Sequence, residues 1–292
     1  MTWHGGWAGD CAADHEKGRA GDQGDGNSRE AATRRVFCDE TGALTVDARG
    51  LTYRELNYVL RAHVRDGTRA IAIRNVVGQR YIGTNLRCPV RVEIHGTPGG
   101  DLGAFMDGPR LTVFGNAQDC VGNTMTSGEI VVHGRAGDVV AMSMRGGAIF
   151  IRDDVGSRCA IHMKEYDDRC PLVVIGGTAH DFLGEYMAGG TLVVLGLGLA
   201  PGERHQASFI GTGMHGGRIF MRGSVAPHQL GEQVEIANPD DGDAAMIVAA
   251  VKRFCALFGG RPDEILGSRF VKILPKSHRP YGGLYGARES EG

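Results

Sequence analysis

No Cys-x-x-Cys pair, no Gly-Lys-Ser or Gly-Lys-Thr, no Gly-x-Ser-x-Gly and no His-x-x-x-His occurs in this chain of 292 residues. Their absence removes the usual sequence basis for a dithiol redox site, a phosphate-cradling loop, a serine nucleophile elbow and a helical zinc pair. Net charge is only -2 and no basic run occurs, so the electrostatic footprint of a nucleic-acid or anionic-membrane binder is missing. Aromatics make up 7% and prolines number 10. The longest mostly apolar stretch, Ala244 to Phe258, is interrupted by Lys252 and Arg253, which excludes a bilayer span. The seven cysteines are odd in number and widely spaced, as free thiols in a reducing compartment are. Without an apolar signal-peptide core at the N-terminus, the expectation is a cytoplasmic protein with neither nucleic-acid nor membrane partner.

What is abundant is glycine, with 47 residues beside a hydrophobic fraction of 42%. That combination suits many tight turns between short buried strands. Residues 1 to 34 hold little apolar material beyond Trp3 and Trp7, and this composition predicts a disordered tail. Residues 35 to 80 predict a small α/β lead-in. Its strand runs from Ala43 to Asp47, and a capping box from Thr52 to Glu55 opens a helix with Leu56, Val59, Leu60 and Val64 on one face. Gly67 closes the helix and Ala70 to Val77 forms a further strand.

From about Tyr81 the chain repeats itself. The segments Gly83-x-x-Leu86, Gly103-x-x-Met106, Gly122-x-x-Met125, Ala141-x-x-Met144, Ala160-x-x-Met163, Gly184-x-x-Met187 and Gly211-x-x-Met214 align. Successive apolar positions are 20, 19, 19, 19, 24 and 27 residues apart. A short apolar strand follows most segments, and glycine closes most strands, with Asp153 in that place in the fourth repeat. Fixed-period similarity of this kind predicts an all-β solenoid: a right-handed parallel β-helix of about seven coils over residues 81 to 235. Leu86 and the methionines would stack inside, and the repeat glycines would occupy corners that need positive φ or close approach. The longer fifth and sixth intervals predict loops near Glu165 to Cys170 and Leu197 to Ser208.

Residues 236 to 292 predict a C-terminal cap. A helix over 240 to 258 is expected with Asp241 or Asp243 as N-cap and Val248, Val251, Cys255 and Phe258 on its apolar side, ended by Gly259-Gly260. A short helix follows from Pro262, then an extended, turn-rich tail. Helix and tail would cover the edge of the last coil. Part of the apolar material in the tail, with Phe270, Ile273, Arg279, Tyr281 and Tyr285, has the composition of an interface anchor.

Isolated motifs read as structural. Gly211-x-Gly213-x-x-Gly216 fits a dinucleotide fingerprint in letters only, because a strand and not a helix follows it. Asp101, Asp119, Asp138 and Asp181 close turns, where a carboxylate accepts backbone N–H groups. His162, Lys164 and Glu165 lie beside a loop and read as surface groups. No catalytic, cofactor-binding or metal-binding residue is assigned.

The repeat, with its Gly-x-x-Met core, resembles the GXGXG-motif domain at the C-terminal end of the glutamate synthase large subunit. The likeness runs from about residue 43 to 285. Asp47, Ala48 and Gly50 with Arg54 to Asn57, and the run Asn75 to Gly83, resemble the family's approach to the solenoid. Phe270, Lys272, Ile273, Pro275, Ser277, Arg279, Pro280 and Tyr281 resemble the tail of stand-alone versions, among them the small subunits of N-methylglutamate synthase and of archaeal-type split glutamate synthases. The resemblance implies a non-catalytic scaffold. A class II glutamine amidotransferase-like subunit would release ammonia, and an FMN-dependent glutamate synthase-like subunit with iron–sulfur clusters would do the transfer chemistry. FMN and iron–sulfur would thus sit on a partner, with no cofactor in this chain. The chain also resembles the β-helix subunit of formylmethanofuran dehydrogenase and that of the related formyltransferase/hydrolase complex, which is the alternative reading.

Overall fold

A computed structural model describes residues 35–38, 44–200 and 202–278. The expected N-terminal tail, and Arg279, Tyr281 and Tyr285, lie outside the described residues. Twelve strands form one sheet, in chain order except that the last two exchange places. β1 (Val36–Cys38) pairs antiparallel with β2 (Leu44–Asp47). From β2 the sheet is parallel through β3 (Ala70–Val77), β4 (Arg91–Thr97), β5 (Asp107–Phe114) and β6 (Ser127–Val132). It continues parallel through β7 (Ala148–Ile151), β8 (Leu172–Ile175), β9 (Ala188–Val194) and β10 (Gly216–Arg222). β12 (Phe270–Pro275) then pairs antiparallel with both β10 and β11 (Val234–Ala237).

The result is a mostly parallel β-solenoid of about six turns. The seven repeat segments each precede one strand from β4 to β10, so seven segments delimit six full turns. Inward-facing residues line up across rungs. One row runs Val92, Leu111, Ile130, Ile149, Val173, Leu192 and Ile219, all within 1% of complete burial. Leu86, Met106, Met125, Met144, Met163, Met187 and Met214 are buried in the same core. The lead-in is continuous with this core, since β2 and β3 are its first rungs. Helix α1 (Tyr53–Arg65) sets Leu56, Val59, Leu60 and Val64 against them. The expected capping box forms: Glu55 N–H donates to Thr52 Oγ1 at 3.3 Å, and Thr52 N–H donates to Glu55 Oε2 at 2.8 Å.

Two expectations for the C-terminal region change. The N-cap of helix α2 (Asp241–Phe258) is Asp240, with Asp243 at the third helical position completing a capping box. The helix also lies on the outer face of the sheet and not across its end. Ile247, Ala250, Val251, Phe254 and Cys255 form a second core with Phe150, Val174, Val193 and Phe220, which point outward from β7 to β10. Burying those outward side chains is what draws the helix there. The end of the solenoid is closed instead by β12 and β11. The short helix α3 (Pro262–Leu266) lies between α2 and β12 in the chain.

Candidate functional site

Each coil contains a second hydrogen-bonded strip, at the turn that carries the repeat motif. Three residues spaced by two have left-handed backbone in every repeat. The triplets are Tyr81/Gly83/Asn85, Asp101/Gly103/Phe105, Cys120/Gly122/Thr124, Val139/Ala141/Ser143, Arg158/Ala160/His162, Phe182/Gly184/Tyr186 and Phe209/Gly211/Gly213, with φ from 52 to 77°. The alternation aims successive amides at opposite neighbours. The middle amide bonds to the preceding coil, as in Gly103 N–H to Ile82 O and Gly122 N–H to Leu102 O, both 2.8 Å. The third bonds to the following coil, as in Phe105 to Asn123 O at 2.8 Å and Tyr186 to Thr212 O at 2.8 Å.

The middle position points inward, which explains its residue type. A Cβ on Gly211 would lie 2.7 Å from Val234 Cγ1, one on Gly184 would lie 2.6 Å from Ile219 Cδ1, and one on Gly122 would collide with Ile149 Cδ1. The first and third positions carry ordinary side chains outward. Sequence reasoning missed these non-glycine left-handed residues; the one visible signal was the Gly211-x-Gly213 spacing, where two of the three happen to be glycine.

The outer side chains of this strip form ladders. Phe182 and Phe209 stack at 4.9 Å with an 11° interplanar angle, and the Arg158 guanidinium lies 4.8 Å from the Phe182 centroid. Beside them His162 stacks on Tyr186 at 5.3 Å and 9°. Arg158 Nε is held 3.0 Å from the buried Glu185 carboxylate. Phe209 is 53% exposed, Phe105 52% and Tyr186 41%. Exposed, ordered aromatic and arginine groups of this kind characterise interfaces.

The turn carboxylates bind backbone, mostly across coils. Asp119 accepts from Asp138 N–H at 2.9 Å, Asp138 from Ser157 N–H at 2.7 Å and Asp181 from Ser208 N–H at 2.8 Å. Asp101 differs, accepting from the Asn123 side-chain amide at 3.1 Å and lying 3.6 Å from Arg80 Nη2. The fourth repeat keeps its regularity without the closing glycine, because Asp153 N–H still bonds to Gly134 O and Asp153 O still accepts from Gly177 N–H.

A cleft of about 230 Å³ is lined by Glu165, Arg218, Lys272 and His278 among others. Three of these charges already serve structure. Lys272 Nζ is 2.6 Å from Asp243 Oδ2 and Arg218 Nη1 is 3.5 Å from Asp243 Oδ1, around a carboxylate that is 1% exposed. Glu165 Oε1 accepts Gly190 N–H at 3.0 Å and the Cys170 thiol at 3.4 Å. Burial and the neighbouring Glu165 push the Cys170 thiol up to about 11, and burial alone pushes Cys159 up to about 12. Both are poor nucleophiles. Cys159 and Cys170 are free thiols, and no three His, Cys, Asp or Glu side chains converge into a metal site among the described residues. An iron–sulfur cluster therefore does not fit the five cysteines whose side chains are described.

Of the residues expected to anchor partners, Phe270 and Ile273 are 8% and 0% exposed. They belong to the cap: Phe270 joins the core beneath α2, and Ile273 packs in the solenoid interior. No helix among the described residues is long and apolar enough to cross a membrane.

An uncharacterized protein of Methanocaldococcus jannaschii, MJ1350, is 48% identical over 250 residues, spanning 83% of this chain and 96% of that one. The GXGXG motif family model matches residues 44–276, from β2 through the closing strand β12. The chain therefore belongs to the GXGXG motif family.

Proposed function

We propose that this protein is the non-catalytic scaffold of a glutamate-synthase-type complex, holding a class II glutamine amidotransferase-like subunit and an FMN-dependent, iron–sulfur-containing synthase-like subunit in glutamate or N-methylglutamate formation. The observation that carries this reading is the extent of the family match, which takes in the whole solenoid and its closing strands β11 and β12. The chain is a capped rod with ordered aromatic ladders on its surface, while Glu165, Arg218 and Lys272 in the cleft beside β10 and β12 are committed to structure. On this reading the chain serves its partners by the surfaces that it presents.

Reconstitution tests the reading. The chain would be co-expressed with a class II glutamine amidotransferase-like subunit and an FMN-dependent glutamate synthase-like subunit. Glutamine-dependent glutamate or N-methylglutamate formation should require all three, and the isolated chain should neither bind FMN nor release ammonia from glutamine. A flavin spectrum or glutaminase activity in the isolated chain would overturn it. Removal of residues 279 to 292, which carry Arg279, Tyr281 and Tyr285, should weaken association more than removal of residues 1 to 34. That cut spares Phe270 and Ile273 and so leaves the cap in place.

A further inference from the structure

The left-handed strip has charged flanks of opposite sign. In the third to sixth coils the residue before each triplet is Asp119, Asp138, Ser157 and Asp181. The residue two after each triplet is Thr126, Arg145, Lys164 and Ala188. One flank of these four coils thus carries three carboxylates and the other two cations, only the fourth coil carries both, and the aromatic ladders lie between the flanks from His162 onward. In the fourth coil Asp138 and Arg145 are both exposed at the flanks of the strip. The side chains of Arg145 and Lys164 have no interaction partner among the described residues.

The geometry points to a second copy of this chain as the occupant of this face, related by a two-fold axis parallel to the solenoid axis. A symmetric dimer must use the same patch on both copies. With the axis along the solenoid, rotation places the acidic flank of one copy over the basic flank of the other, at the same coil level. Asp138 then meets Arg145 of the second copy, and Phe182 meets Tyr186 of the second copy across the centre. A two-fold axis within the face but perpendicular to the solenoid would lay acid on acid and base on base, which opposes association. The charge pattern thus selects one symmetric arrangement, and the stacked rings supply the desolvated centre that an interface needs. This inference concerns copies of this chain alone and goes beyond the scaffold reading, so either can fail without the other.

Light scattering on the purified full-length chain, with sedimentation equilibrium, tests it. The wild type should have the mass of a dimer. Arg145→Asp places acid opposite Asp138 and should weaken the dimer by about tenfold or more. Asp138→Arg should do the same in the opposite sense. Mixing the two variants should restore dimerisation tighter than either variant shows alone, because both cross-pairs become complementary. Arg145→Asp breaks no bond within the chain, so it remains informative even if Asp138→Arg disturbs the coil through loss of the Ser157 bond; Phe209→Ser should likewise weaken the dimer. A monomeric wild type would overturn the proposal. So would a dimer indifferent to Arg145→Asp and Phe209→Ser, or a mixture of two folded variants that stays monomeric.

Discussion

Ala141 and Ala160 sit where five other coils place glycine, at φ of 60 and 62° and with no exposure. A left-handed backbone at this register is therefore tolerable for a methyl group. Gly122 faces Ile149, with which a Cβ would collide. By the same offset Ala141 faces Val173, which is shorter by one carbon and follows Ile149 in the inner row. Gly122→Ala should cost about 1–3 kcal/mol in urea unfolding, from backbone strain plus overpacking. Adding Ile149→Val should return part of that loss, although the same change alone costs about 0.5–1.5 kcal/mol. If the two losses simply add, the collision has no part in the choice of glycine. A second residue-scale effect is acid sensitivity. His205 is 2% exposed, and Nε2 lies 2.9 Å from Arg222 O. Burial holds its pKa below 6.5, and burial lowers His95 and His133 as well. A base with a depressed folded pKa binds more protons when unfolded, so the contribution of these imidazoles is complete from neutral pH upward and declines as pH falls beneath 6.5. Melting temperatures at stepwise lower pH should show this decline, and His205→Gln should make it shallower. An unchanged slope would assign the effect elsewhere.

At the scale of elements, helix α2 is the feature that holds the outer face together. Phe254 is 2% exposed, packs against Phe258 at 4.8 Å and lies over Gly176, where a Cβ would collide with its ring. Glu129 ties the same helix to the sheet, 2.8 Å from Arg253 and 3.1 Å from Arg110. Phe254→Ala should cost about 3–5 kcal/mol as a large-to-small core change, read as a drop in the urea midpoint. A loss below ~1 kcal/mol would mean that the helix rests loosely on the sheet. The helix itself was legible in the sequence, from its acidic start and its Gly259-Gly260 stop. Its docking place was not read, although the signal was present. β4 alternates, as Arg91, Val92, Glu93 and Ile94, whereas β7 and β8 are continuous apolar runs, Ala148 to Ile151 and Leu172 to Ile175. A strand apolar on both faces must be covered on both. Periodicity located the coils because a 19-residue repeat forces one register, but it says nothing about which outward residues need a lid. The aromatic ladders escaped for a similar reason. Phe182, Tyr186 and Phe209 belong to coils of unequal length, and only the backbone ladder brings them into register.

At the scale of the molecule, a solenoid is stable only if both ends of its sheet are closed. β10 is the last parallel rung, and its free edge would be a row of unpaired amides and carbonyls above an apolar interior. β12 covers it, pairing Ile273 with Ile219 and Val271 with Met221, and it is also the strand that β11 pairs with. Both ends of the sheet are thus closed by antiparallel strands, and the reversal stops the parallel stacking from continuing into another chain. Deleting residues 270 to 292 should therefore do more than trim a tail. It should expose Ile219 and Met221, strip β11 of its partner and remove Phe270 from beneath α2. The expected outcome is a lower melting temperature together with large, heterogeneous particles in light scattering, as open edges join. Deleting residues 279 to 292 leaves every one of these contacts in place, and its melting temperature should stay within about 2 °C of the full chain, as a change of less than ~0.5 kcal/mol implies. A shorter chain ending at Arg269 that remained monodisperse and melted with the full-length protein would show that β12 is dispensable and that the solenoid is closed by some other means.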